Sequence, residues 1–104
     1  MGIRLGSFSM TPASTERLIA YVEGRVQGVG FRVFVYDLAC SIGVAGSVQN
    51  CPDGRVRVEA EGPRPSLDRL LQALHEGPPA SRVTRVRTEW HEARGMIRFT
   101  VLPR

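Results

Sequence analysis

Arg17–Gly43 reads RLIAYVEGRVQGVGFRVFVYDLACSIG, and its apolar spacing changes partway along. Over Arg17–Glu23 the side chains alternate, with Leu18, Ala20 and Val22 on one side and Ile19 and Tyr21 on the other, which is the period of a β-strand. From Phe31 the apolar positions become Phe31, Phe34, Val35, Leu38, Ala39 and Ile42. That is the stripe of an amphipathic helix, and Gly43 is placed to stop it. The stretch VFVY inside it tempts a strand assignment, but its spacing and the length of the run favour helix. Between strand and helix lies the loop that ends Gly28-Val29-Gly30, so the segment is strand, glycine loop, helix.

The rest of the chain continues the alternation. Val44–Gln49 reads as a second strand, and Cys51-Pro52-Asp53-Gly54 as a tight turn with Pro and Gly in their usual places. Arg55–Glu61 alternates cleanly, with Val56, Val58 and Ala60 facing inward and Arg57, Glu59 and Glu61 facing solvent. Gly62-Pro63 ends it. Ser66 is expected to cap a second helix carrying Leu67, Leu70, Leu71 and Leu74, stopped by Gly77-Pro78-Pro79. Two strands close the chain, near Val83–His91 and Met96–Leu102, joined by a loop containing Gly95. The order βαββαβ, with one extra terminal strand, predicts a ferredoxin-like α+β fold: a mainly antiparallel sheet with two helices on one face.

This order gathers a site. A right-handed crossover makes the first two strands run parallel, so their carboxyl ends share one edge of the sheet. The glycine loop then lies beside Asn50, although Asn50 is eighteen positions beyond Arg32 in sequence. The first N–H groups of a helix have no intrahelical partner, and the helix dipole makes that end electropositive. Glycines can turn successive N–H groups into a concave nest for an anion. Arg32 adds a permanent charge with planar donors matched to phosphate oxygens. A cation at a helix N-terminus opposes the dipole unless an anion sits between them. Other readings stay open for single residues: two glycines also serve a plain strand-to-helix turn, and Asn50 also suits an Asx-turn before the CPDG sequence. Neither GxxxxGK[ST] nor a complete dinucleotide fingerprint is present.

Composition bounds the chemistry. The chain has 104 residues and a net charge of +4, and every basic residue is arginine. Residues 1–81 balance eight arginines with eight acids, whereas 82–104 hold six arginines against two glutamates. That excess is expected on a solvated strand face, where it can help steer anionic substrates. Two cysteines, Cys40 and Cys51, form neither a disulfide framework nor a CxxC motif, and His75 and His91 stand well apart. No metal site is therefore expected, and a reducing cytoplasm is the expected location. The opening MGIRLGSFSMTPAST has no apolar core of a secretory signal and no stretch fit to span a membrane. Residues 1–16 are expected to be a flexible tail and 17–104 a single domain.

At these residues the chain resembles the acylphosphatases. The matching elements are VxGRVQGVGFR at Val22–Arg32, AxxxG at Ala39–Gly43, GxVxN at Gly46–Asn50, DGxV at Asp53–Val56, EGP at Glu61–Pro63 and GPPAxRV at Gly77–Val83. They run in order through roughly residues 17–101. The chain departs at Ser47, where the family usually carries an aromatic residue. The resemblance implies hydrolysis of the carboxyl–phosphate bond of acyl phosphates without metal or cofactor, by a protein expected to act as a monomer. It implies that Arg32 binds phosphate, that the main-chain amides of Gln27, Gly28, Val29, Gly30, Phe31 and Arg32 cradle it, and that Asn50 positions water. The chemistry suits so few groups, because a carboxylate leaves without a protein acid to protonate it. Two rival readings share the fold. One is a non-catalytic module holding phosphate or a carbamoyl-phosphate-like ligand. The other is a nucleic-acid-binding domain, which would need exposed aromatics on the sheet; GFRVFVY fits that only in part.

Overall fold

The computed structural model describes residues 14–103. Its elements are β1 (Thr15–Arg25), α1 (Phe31–Ile42), β2 (Ala45–Asn50), β3 (Val56–Pro63), α2 (Arg64–Glu76), β4 (Arg82–Glu92) and β5 (Phe99–Val101). They form one sheet in the order β4-β1-β3-β2-β5, in which only the β2–β5 pairing is parallel. This is the expected ferredoxin-like arrangement with an added edge strand. The expected tail lies outside the described residues as far as position 13, while Thr15 and Glu16 already pair in β1. Among the described residues no helix is long and apolar enough to cross a membrane.

The helical reading of Phe31–Ile42 holds, so GFRVFVY lies on a helix and offers no aromatic strand motif. Gly43 ends α1 in a left-handed conformation, its N–H donating to the Ala39 carbonyl. The start of α2 differs from expectation: Ser66 lies inside the helix, which begins at Arg64 after Pro63. Pro65 explains the shift, because a proline's fixed φ and missing N–H suit a first helical turn.

The core lies between the helices and one face of the sheet. Leu18, Ala20, Val22, Val48, Val56, Val58 and Ala60 meet Phe31, Val35 and Ala39 from α1 and Leu67, Leu70 and Leu74 from α2. Each fully buried leucine contributes roughly 1.5–3 kcal/mol. Trp90 packs against this core's margin, with the Arg64 guanidinium 3.7 Å from its ring centroid.

The opposite face departs from expectation. Glu59 and Glu61, read as solvent-facing, are only 7% and 4% exposed. Two things cover them. The buried Arg17 donates from Nη1 to Glu59 Oε2 at 2.9 Å and from Nε to the Glu92 carbonyl at 3.0 Å. The connection from β4 to β5 also passes over this face, and Glu61 accepts backbone N–H groups from Arg94, Gly95 and Met96. Burial opposes ionisation of Glu61, but those N–H groups and Arg17 outweigh it and hold the carboxyl below its ordinary value. A depressed native pKa means that ionised Glu61 adds stability above the unfolded-state value, and that this stability is lost as pH falls through the native one. We expect the thermal unfolding temperature of the wild type to fall as pH drops below about 4.5, the ordinary glutamate value. The melting-temperature gap between wild type and Glu61→Gln, measured by circular dichroism, should be largest at neutral pH and shrink on acidification.

Candidate active site

The parallel run of β1 and β2 on either side of β3 aligns their ends. Val22 of β1 and Asn50 of β2 both pair with Val56 of β3, one from each side. Beyond β1 the chain turns through Gly28, at φ 72°, and Gly30, at φ 79°, before entering α1. Both are left-handed conformations that cost an L-residue about 1–2 kcal/mol. A Cβ on either glycine would meet nothing within 4 Å, so the requirement is conformational and not steric. The first helical bond runs from Phe34 N–H to the Gly30 carbonyl at 3.0 Å. The N–H groups of Phe31, Arg32 and Val33 therefore precede any intrahelical partner. No side chain caps this helix, and its first turn holds no acid.

A cavity of about 110 Å³ opens at this point, bordered by Val26, Gly28, Gly30, Phe31, Arg32, Val33 and Asn50. It is far smaller than the roughly 300 Å³ and above of typical drug-sized sites, and its size suits one tetrahedral anion. Arg32 and Asn50, far apart in sequence, thus face the same space. Asn50 is 9% exposed.

Gln27 and Val29, expected in the cradle, do not border the cavity. Val29 packs against the core. The Gln27 carboxamide donates from Nε2 to the carbonyls of Cys51, at 2.8 Å, and Arg55, at 2.9 Å. It ties the glycine loop to the hairpin that carries Asn50, a role its sequence position did not disclose. That hairpin is rigid in its own right: Gly54 N–H donates to the Cys51 carbonyl at 3.1 Å, and Asp53 accepts from the N–H and Nε of Arg55. These bonds from Arg55, led by its N–H, hold the Asp53 carboxyl below its ordinary value.

Arg32 is held by a group that sequence could not reveal. Its Nη1 donates to the Leu102 carbonyl at 2.9 Å, and Leu102 N–H donates to the Val48 carbonyl at 2.8 Å. One side of the guanidinium is thereby fixed to the end of β5, leaving other donors for an anion. Among the described residues, no group of three or more His, Cys, Asp or Glu is placed to hold a metal ion.

The sequence profile of the acylphosphatase family matches residues 18–101. An acylphosphatase of Thermus thermophilus is 47% identical over 85 residues, covering 82% of this chain and 97% of its own. One of Chromohalobacter salexigens is 52% identical over 75 residues, covering 72% and 83%. The crystal structure of acylphosphatase from Bacillus subtilis superposes with a TM-score of 0.81 at 40% identity, covering 84% of this chain and 98% of that one.

The glycines give a direct test of the cradle's geometry. Gly30→Ala should cost only the left-handed strain, about 1–2 kcal/mol, because its Cβ enters open space. Gly46→Ala in β2 should cost considerably more, since its Cβ would run into the Glu59 carbonyl. Urea unfolding of the two variants checks that ranking.

Proposed function

The chain belongs to the acylphosphatase family, and we propose that it hydrolyses acyl phosphates to carboxylate and inorganic phosphate at the cavity bounded by Gly28, Gly30, Arg32 and Asn50. The observation that carries this reading is the convergence of Arg32, Asn50 and the uncapped start of α1 on one space of about 110 Å³. The phosphoryl group fills that space. The acyl group extends past Val33, which is 60% exposed at its rim.

The main-chain amides of Gly28, Gly30, Phe31 and Arg32, which border the cavity, and the Arg32 guanidinium bind the phosphoryl oxygens and stabilise the charge that spreads over them as the bond to the carboxylate breaks. Asn50 orients a water in line with the leaving group, which is positioning and not base catalysis, because a carboxamide cannot take the proton. A phosphoryl oxygen of the substrate accepts it. The leaving carboxylate needs no protonation, since its conjugate acid has a pKa near about 4. No residue has to act as a general acid.

All of these groups come from one chain, so a monomer suffices. The unpaired thiols Cys40 and Cys51 suit a reducing compartment, and we assign the protein to the cytoplasm.

Arg32→Ala should abolish binding of inorganic phosphate and lower kcat by at least about 10²–10³-fold, the scale for losing a preorganised donor. Wild-type phosphate affinity in that variant would overturn the cradle. Asn50→Ala should lower kcat on a generic aromatic acyl phosphate and leave phosphate inhibition nearly unchanged. If phosphate affinity collapses instead, Asn50 belongs to the cradle. Turnover by the wild type should be the same with and without a chelator.

A further inference from the structure

The Arg32 clamp depends on β5, which has only three residues and pairs with β2 alone. A strand this short at a sheet edge is marginal by itself. Its position is set by the connection that delivers it. β4 and β5 are the two outer strands, so this connection must pass β1, β3 and β2. Four interstrand spacings span about 19 Å. The seven peptide steps from Glu92 to Phe99 reach at most about 23–25 Å when fully extended. The crossing is nearly taut, so its route fixes where β5 lands.

Glu61 stands under the midpoint of that route, on β3, the middle strand of the five. Its two carboxylate oxygens accept the consecutive N–H groups of Arg94, Gly95 and Met96. Arg17 holds the start of the crossing through the Glu92 carbonyl. At the far end, Gly46 N–H donates to the Arg98 carbonyl at 2.8 Å and Leu102 N–H to the Val48 carbonyl. The next link is the Leu102 carbonyl on the Arg32 guanidinium. Hydrogen bonds joined by short backbone segments (96–98 and 46–48) therefore link a carboxylate on the polar face of the sheet, around its edge, to the cavity beside Arg32.

We infer that Glu61 is a positioning residue for Arg32: its carboxylate clasps the middle of the β4–β5 crossing, sets the register of β5 against β2, and so fixes the Leu102 carbonyl that orients the phosphate-binding guanidinium. The inference rests on the reading of Arg32 given above. A carboxylate does this where a carboxamide does not, because three N–H donors converge on two acceptor oxygens, and the NH₂ of a carboxamide would meet one of those donors head-on.

The test uses the inhibition constant of inorganic phosphate together with kcat and KM on an aromatic acyl phosphate, at a temperature where circular dichroism shows each variant folded. Glu61→Gln should weaken phosphate inhibition and raise KM by about five- to tenfold, the scale of one lost hydrogen-bonded contact. A second variant keeps Glu61 and inserts two glycines after Ile97, which slackens the crossing beyond the clasp; it should weaken phosphate inhibition similarly. A purely structural Glu61 would lower the melting temperature and leave the inhibition constant of folded protein untouched, and that result in both variants overturns the inference. Should Glu61→Gln fail to fold, the insertion variant decides alone. Arg32→Ala separates this from the underlying reading. If it binds phosphate like wild type, the site assignment fails; if it does not, while the other two variants bind normally, only the positioning role fails.

Discussion

The N–H groups that open α1 have no partner in their own helix, and the organisation around them answers that fact. The cap residue Gly30 has no side chain, so nothing at the cap position can reach back to satisfy them. The first turn carries an arginine and no acid, an arrangement whose electrostatic repulsion an anion would offset. Such a helix start is costly if buried and empty, and useful if it borders a small cavity. The protein keeps it at the rim of one that fits a single phosphoryl group.

The remaining parts hold that arrangement still. β1 and β2 run parallel with β3 between them, which brings the loop after β1 and the last residue of β2 to the same edge. Gln27 fastens the loop to the hairpin beyond Asn50. The Arg32 guanidinium is tied to the Leu102 carbonyl, which restricts where its remaining donors can point. Catalysis by positioning and electrostatics tolerates little looseness, since donors act at full strength only when no reorganisation is needed.

The polar face of the sheet serves the same end from the other side. Arg17, Glu59 and Glu61 are buried there among one another and under the crossing chain. Buried ion pairs add little net stability over apolar substitutes, because desolvation offsets most of the attraction. What they supply here is a defined path for a connection that has almost no slack. Ser47, where the sequence departs from the acylphosphatase pattern it resembles, lies on this polar face opposite Glu59, so the departure does not touch the residues that border the cavity.

The amino-acid sequence by itself determined the elements and their order: alternation in Arg17–Glu23 and Arg55–Glu61, the helical stripe from Phe31, and punctuation at Gly43 and Gly77 are local properties of neighbouring side chains. Handedness of the crossover then sufficed to bring Arg32 and Asn50 together, because that rule needs only element order. Pairing by strand alternation also led Glu59 and Glu61 to be read as exposed, since alternation reports which side of a sheet a residue faces and not what later covers that side. The carboxamide of Gln27 on two main-chain carbonyls, the Leu102 carbonyl on Arg32, and the clasp of Glu61 on residues 94–96 were decided only by the tertiary structure. Each joins a side chain to main-chain atoms more than twenty positions away, and a main-chain carbonyl or N–H is the same in every residue but proline, so no pattern of residue types announces it.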